Sequence, residues 1–247
     1  MSTLPQAASV ALTFWIVAVE RSRTSRRTAL RVATYGVAVT VFPALLGFAP
    51  SPRPPSAAVP VTAPRGKVIM VIRHGEKPTK APVPVGIDLA GRPDTRSLTE
   101  QGWVRAASLV GLFVPRLGAE RAVLPRPKMI YASGTGDEGT EGNRPRQTVR
   151  PLAMALRIPV DTSFSRGDEA RLIARAAAEE GPTLICWQHG EIPEMATALK
   201  DVAPAAPKDW PDDRYDVVWM FTSTGTGWQF EQVPERLLPG DSTTGIA

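Results

Sequence analysis

Two apolar runs that stop at the same three letters constrain this chain more than any other feature. Val68-Ile69-Met70-Val71-Ile72 leads into Arg73-His74-Gly75-Glu76, and Thr183-Leu184-Ile185-Cys186-Trp187-Gln188 leads into His189-Gly190-Glu191. Unbroken apolar runs rich in β-branched residues predict strands buried on both faces, as in parallel sheets covered by helices on each side. His74 and His189 are the only histidines among the 247 residues. Each follows the carboxyl end of a predicted strand, where open α/β sheets bind ligands. Gly75 suits a sharp exit and a close backbone approach.

Charge separates the chain into a leader and a neutral remainder. The net charge is +5, and six arginines against Glu20 in residues 1–60 supply all of it. Residues 61–247 are balanced in charge and give no electrostatic footprint for nucleic acid. The leader itself has an ordered pattern. The apolar stretch Ala7 to Val19 is too short to span a bilayer. A basic cluster runs from Arg21 to Arg31, and then come 18 uncharged residues, Val32 to Ala49, interrupted by Gly36 and Pro43. A basic patch followed by an apolar run is the order of an export signal. Ser25-Arg26-Arg27-Thr28-Ala29-Leu30-Arg31 resembles a twin-arginine signal, with Ala29 where a bulky apolar residue is usual.

Ser56-Ala57-Ala58 supplies small residues for cleavage. The leader therefore reads as a cleaved signal, an uncleaved anchor, or a segment that is neither. The first two predict a domain that is exported or held at a membrane. Residues 1–49 form this leader, and 50–66, with six prolines among small residues, form a semi-extended linker. Residues 67–247 form the folded domain.

Within that domain strand and helix patterns alternate, which predicts an α/β fold with a mostly parallel sheet. Thr99 is the expected N-cap of a helix whose Val104, Ala107, Ser108, Gly111 and Leu112 would pack on the sheet. Lys128 to Ser133 reads as a second strand, followed by a glycine-rich segment and then Asn143-Arg144-Pro145-Arg146-Gln147-Thr148. Pro145 suits a first helical turn, and Pro151 predicts an irregular one. Ile158 to Val160 leads a short strand, Asp168 caps a further helix, and Pro193 opens another. Asp216–Phe221 and Trp228–Val233 read as a hairpin around Gly225 and Gly227. The single cysteine, Cys186, lies inside an apolar strand and excludes an intrachain disulfide.

Arg73, His74, Arg144 and His189 would gather at the strand ends as an anion pocket. Guanidinium groups match phosphate oxygens bidentately and stay charged. A helix start beside Arg144 adds backbone donors. An imidazole in such a pocket can take up a phosphoryl group covalently, while the remaining cations stabilise its charge. Two histidines without a cysteine pair or dense carboxylates are a poor metal set. Neither a metal nor a cofactor is therefore expected.

Arg73-His74-Gly75-Glu76 resembles the signature of the histidine phosphatase superfamily, which includes the phosphoglycerate mutases. Arg144-Pro145-Arg146-Gln147-Thr148 after Tyr131-Ala132-Ser133 resembles the family's second arginine motif. His189-Gly190 resembles its second histidine motif, and Ser97-Leu98-Thr99 with Gly102 resembles the opening of its first helix. The resemblance covers about residues 67–233. It implies a three-layer αβα fold, a phosphorylated nucleophile at His74, and a phosphoryl group held by Arg73, Arg144 and His189. It also implies a phosphorylated small molecule as substrate.

The chain departs from the family pattern in a longer stretch between Ser133 and Arg144, with four glycines. It also has no clear counterpart of the mutases' acid-bearing segment. Glu191, Glu76 and Asp168 are the candidates for a general acid. The expected activity is phosphomonoester hydrolysis. A phospho-ligand binding domain without catalysis, and a protein phosphohistidine phosphatase, are the alternatives.

Overall fold

The computed structural model describes residues 65–79, 85–115, 124–135 and 143–247. The leader, nearly all of the linker and most of the glycine-rich stretch, 136–142, lie outside the described residues. Among the described residues no helix is long and apolar enough to cross a membrane.

Seven strands form one sheet: β1 (Val68–Arg73), β2 (Met129–Ala132), β3 (Val160–Asp161), β4 (Thr183–Trp187), β5 (Val202–Ala203), β6 (Val217–Ser223) and β7 (Trp228–Pro234). Their order across the sheet is β3-β2-β4-β1-β6-β7-β5. β1 pairs in parallel with β4 and antiparallel with β6, and β6 pairs antiparallel with β7. With the parallel pairings of β2 to β3 and β4 and of β5 to β7, only β6 runs against the rest. The sheet is mixed but mostly parallel, as the alternation of patterns predicts. The β6–β7 hairpin turns through Thr224–Gly227, where Gly225 takes a φ of 92° and Thr224 N–H donates to Gly227 O at 2.9 Å.

Among the described residues four α-helices cover the two faces: α1 (Glu100–Phe113), α2 (Arg144–Leu156), α3 (Glu169–Ala178) and α4 (Ile192–Thr197). The strand period of two divides β1 cleanly. Met70 and Ile72 join Leu109, Leu112 and Phe113 of α1 and Val149 and Leu152 of α2 in one core. Ile69 and Val71 join Leu172 and Ile173 of α3 and Ile192 and Met195 of α4 in another. Two apolar cores separated by a sheet make a three-layer αβα arrangement. Each fully buried Leu or Ile of these cores contributes roughly 1.5–3 kcal/mol over its exposed state. Cys186 is wholly buried in the first of them, and burial pushes its thiol well up.

Two local expectations are corrected. α1 does not pack through Val104, Ala107 and Gly111, which are exposed. Its buried face is Gly102, Arg105, Ala106, Leu109, Leu112 and Phe113, because a buried ion cluster around Arg105 sets the helix rotation. α2 runs from Arg144 through Pro151 to Leu156 without a break. Packing of Val149, Leu152 and Leu156 outweighs the hydrogen bond that Pro151 cannot donate.

Candidate active site

The site lies beyond the carboxyl ends of β1 and β4. Arg73 pairs in register with Trp187, and the His74 N–H donates to Trp187 O at 3.0 Å. His74 and His189 therefore leave neighbouring parallel strands on the same edge. The two ends are not built alike. His74 follows the last residue of β1 and is 3% exposed, whereas His189 starts a single 3₁₀ turn, His189–Glu191.

Glycine matters at only one of these ends. A Cβ on Gly75 would lie 3.0 Å from Gly102 O, and one on Gly102 would lie 2.7 Å from Glu76 O. Gly75 is thus needed for the close approach of α1, and its φ is not in the left-handed region. A Cβ on Gly190 would meet nothing.

The His74 ring has one defined bond. Nδ1 lies 2.7 Å from Gly75 O. A carbonyl only accepts, so Nδ1 carries the proton and Nε2 keeps its lone pair. Burial pushes the imidazole down to about 3, helped by the nearby charges of Arg73, Arg144 and Lys77 against the opposing Gly75 bond. The ring is therefore neutral across the physiological range.

Arg73 is 1% exposed and is fixed from behind. Nη1 donates to the carbonyls of Pro211, Asp212 and Arg214 at 3.1, 2.7 and 2.9 Å, and the guanidinium lies 3.8 Å above the centre of the Tyr215 ring. Its Nε and Nη2 are buried with no hydrogen-bond partner among the described residues, and so is Nε of Arg144. Burial lowers the pKa of both guanidiniums, yet neither loses its charge. Buried guanidinium donors left open in this way suit an anionic ligand.

α2 carries Arg144 at its first residue and ties the surrounding segments together. Thr148 Oγ1 accepts from Gly75 N at 2.8 Å and donates to Arg144 O at 2.8 Å. Gln147 Oε1 accepts from Leu98 N at 3.0 Å, and its Nε2 donates to Ser97 Oγ at 2.8 Å. Arg144 Nη1 donates to Thr95 O at 3.2 Å. Arg146 is exposed and lines a separate cleft with Ser133 and Asn143.

His189 is half-buried. Burial lowers its pKa, with Arg73 and Lys77 adding to the shift and Asp212 opposing it.

Each of the three carboxylates read from the sequence is paired with an arginine. Glu76 accepts from Arg105 at 2.8 and 3.0 Å. Glu191 pairs with Arg166. Asp168 pairs with Arg171 at 2.6 Å and accepts from Ser165 N.

Two site residues escaped the sequence reading. Lys77 follows the first motif directly, and its position there was the available signal. Asp212 comes from the segment between β5 and β6, and nothing in the local sequence marks it. Among the described residues no three His, Cys, Asp or Glu side chains converge as a metal set.

No family model matches the sequence, and no curated protein does. Among solved structures, the chain is similar to SixA of Agrobacterium tumefaciens, assigned as a phosphohistidine phosphatase, with 21% identity and a TM-score of 0.42 over 71% of this chain and 99% of that one. It is also similar to YhfR of Bacillus stearothermophilus, with 18% identity and a TM-score of 0.39 over 69% of this chain and 97% of that one.

Proposed function

We propose that the chain is a phosphomonoester hydrolase of the histidine phosphatase type, acting through a phosphohistidine at His74. The observation that carries this reading is a neutral imidazole, Nδ1 tied to Gly75 O, set among buried guanidinium donors that lack a hydrogen-bond partner among the described residues. His74 Nε2 would attack phosphorus as the ester P–O bond breaks and the alcohol leaves. Water would then cleave the P–N bond, releasing phosphate and regenerating the imidazole. Arg73, Arg144 and His189 would hold the phosphoryl oxygens, and the charge of the two guanidiniums is worth most where charge spreads in the transition state. The substrate class is a phosphorylated small molecule. We also infer from the leader that the domain works outside the cytoplasm, released or membrane-held.

The test is rapid quenching into alkali during turnover of a ³²P-labelled phosphomonoester. Base-stable, acid-labile label on His74, absent in His74→Asn, is the expected result. Bound phosphate without turnover or label would replace the reading with a binding domain. Much faster turnover of phosphohistidine peptides than of phosphomonoesters would replace it with a phosphohistidine phosphatase.

A further inference from the structure

Asp212 has no part in the chemistry just described, yet its carboxylate sits in the phosphoryl pocket. Its side chain is 79% exposed. Oδ1 lies 2.9 Å from His189 Nε2, 3.3 Å from Lys77 Nζ and 3.8 Å from Arg73 Nη2. One anionic oxygen thus sits where a lysine, an arginine and the His189 imidazole converge, a place that suits a phosphoryl oxygen. Glu76, Glu191 and Asp168 are each held by an arginine. Asp212 also borders a cavity of about 1010 Å³ shared with Lys77, Gln101, Tyr215 and Ser242. It thus touches the cations and borders a space large enough for a leaving group.

We propose that Asp212 is the proton-transfer carboxylate of this site. The proposal rests on the phosphohistidine reading. Substrate phosphoryl oxygens would displace Asp212 from Lys77, His189 and Arg73. As Nε2 bonds to phosphorus, the electrons of the breaking P–O bond go to the ester oxygen, and that oxygen takes the Asp212 proton. In the second step water bonds to phosphorus, the P–N electrons return to Nε2, and the water proton returns to Asp212. The sum is ester plus water to alcohol plus phosphate.

In the resting site Lys77, through a hydrogen bond and its charge, and then His189 hold the Asp212 carboxyl below its usual range. A bound dianion takes up those cations and places negative oxygens beside the carboxyl. Both changes favour the protonated form.

The test compares Asp212→Asn with wild type in the full chain. The readout is kcat/KM, which covers only the steps through phosphoryl transfer. An alkyl phosphate needs its leaving oxygen protonated and p-nitrophenyl phosphate does not. The expected loss is about 10²–10⁴-fold for the alkyl ester, against less than about fivefold for the nitrophenyl ester. Asp212→Glu, which keeps an acid, retains more alkyl activity than Asp212→Asn. Equal losses on both esters, or no loss on either, overturns the assignment of Asp212 while label on His74 keeps the phosphohistidine reading intact. Failure of wild type to label His74 sinks that reading itself.

Discussion

At the residue scale the functional pattern depends on which atoms are already bound. Nη1 of Arg73 is saturated by three carbonyls, so the side chain cannot turn. Its free edge, Nε and Nη2, stays where an anion would need it. Arg144 has the same character, with Nη1 bonded and Nε free. Arg146, two residues on, is exposed and points to another cleft. Arg144→Ala is therefore expected to lower kcat/KM by about 10²–10³-fold, as removal of one oxyanion donor does. Arg146→Ala is expected to change it by less than about threefold, since surface substitutions away from the reacting groups have small effects. Steady-state kinetics on one phosphomonoester checks both, and the reverse ranking would mean that the second arginine motif is set two residues out of register.

At the element scale α1 is held by a buried ion cluster as well as by its apolar face. Arg105 bonds Glu76, Glu235 and Asp241 at 2.7 to 3.1 Å. Burial lowers the Arg105 pKa, but these carboxylates outweigh it and raise it. Three carboxylates around one guanidinium leave an excess of negative charge. Burial, opposed by Arg105 and helped by Asp241 and Asp216, accordingly pushes Glu235 up to about 8 from 4.5. Folded protein then holds a proton on Glu235 that unfolded chain releases. The stability this contributes is full below about 4.5 and is lost as pH rises through about 8. Unfolding free energies from denaturant titrations between those limits should fall with pH, by at most about 1.4 kcal/mol per unit from this group. Glu235→Gln, which keeps a neutral side chain there, should flatten that slope. An unchanged slope in the variant would place the buried proton elsewhere.

At the scale of the whole molecule the single reversed strand decides how the site is completed. β6 runs against β1, so its start lies beside the carboxyl end of β1, with Ile72 opposite Val218. The segment preceding β6 therefore arrives over the site, bringing Asp212 and Tyr215. The inferred place of work is a property of the whole chain as well. A species beginning near Val59 in the exported fraction, or full-length protein in membranes, is the expected result of mass measurement on fractionated cells. Full-length protein confined to soluble cytoplasm would rule out both forms of export.

The sequence by itself determined the α/β alternation, the strands β1 and β4, the β6–β7 hairpin and the N-cap at Thr99, because these rest on local periodicity and turn chemistry. Thr99 Oγ1 does accept from Gly102 N at 3.2 Å. It also brought Arg73, His74, Arg144 and His189 to notice, since each stands at the end of an element. The tertiary structure alone decided the rotation of α1, because that depends on Glu235 and Asp241 more than a hundred residues away. It alone distinguished Gly75 from Gly190, whose local sequences match but whose neighbours do not. It alone placed Asp212 on His189 and Lys77 and paired Glu76 and Glu191 with Arg105 and Arg166. The physical reason is the same in each case: a residue takes its role from neighbours distant in sequence, and local pattern does not encode them.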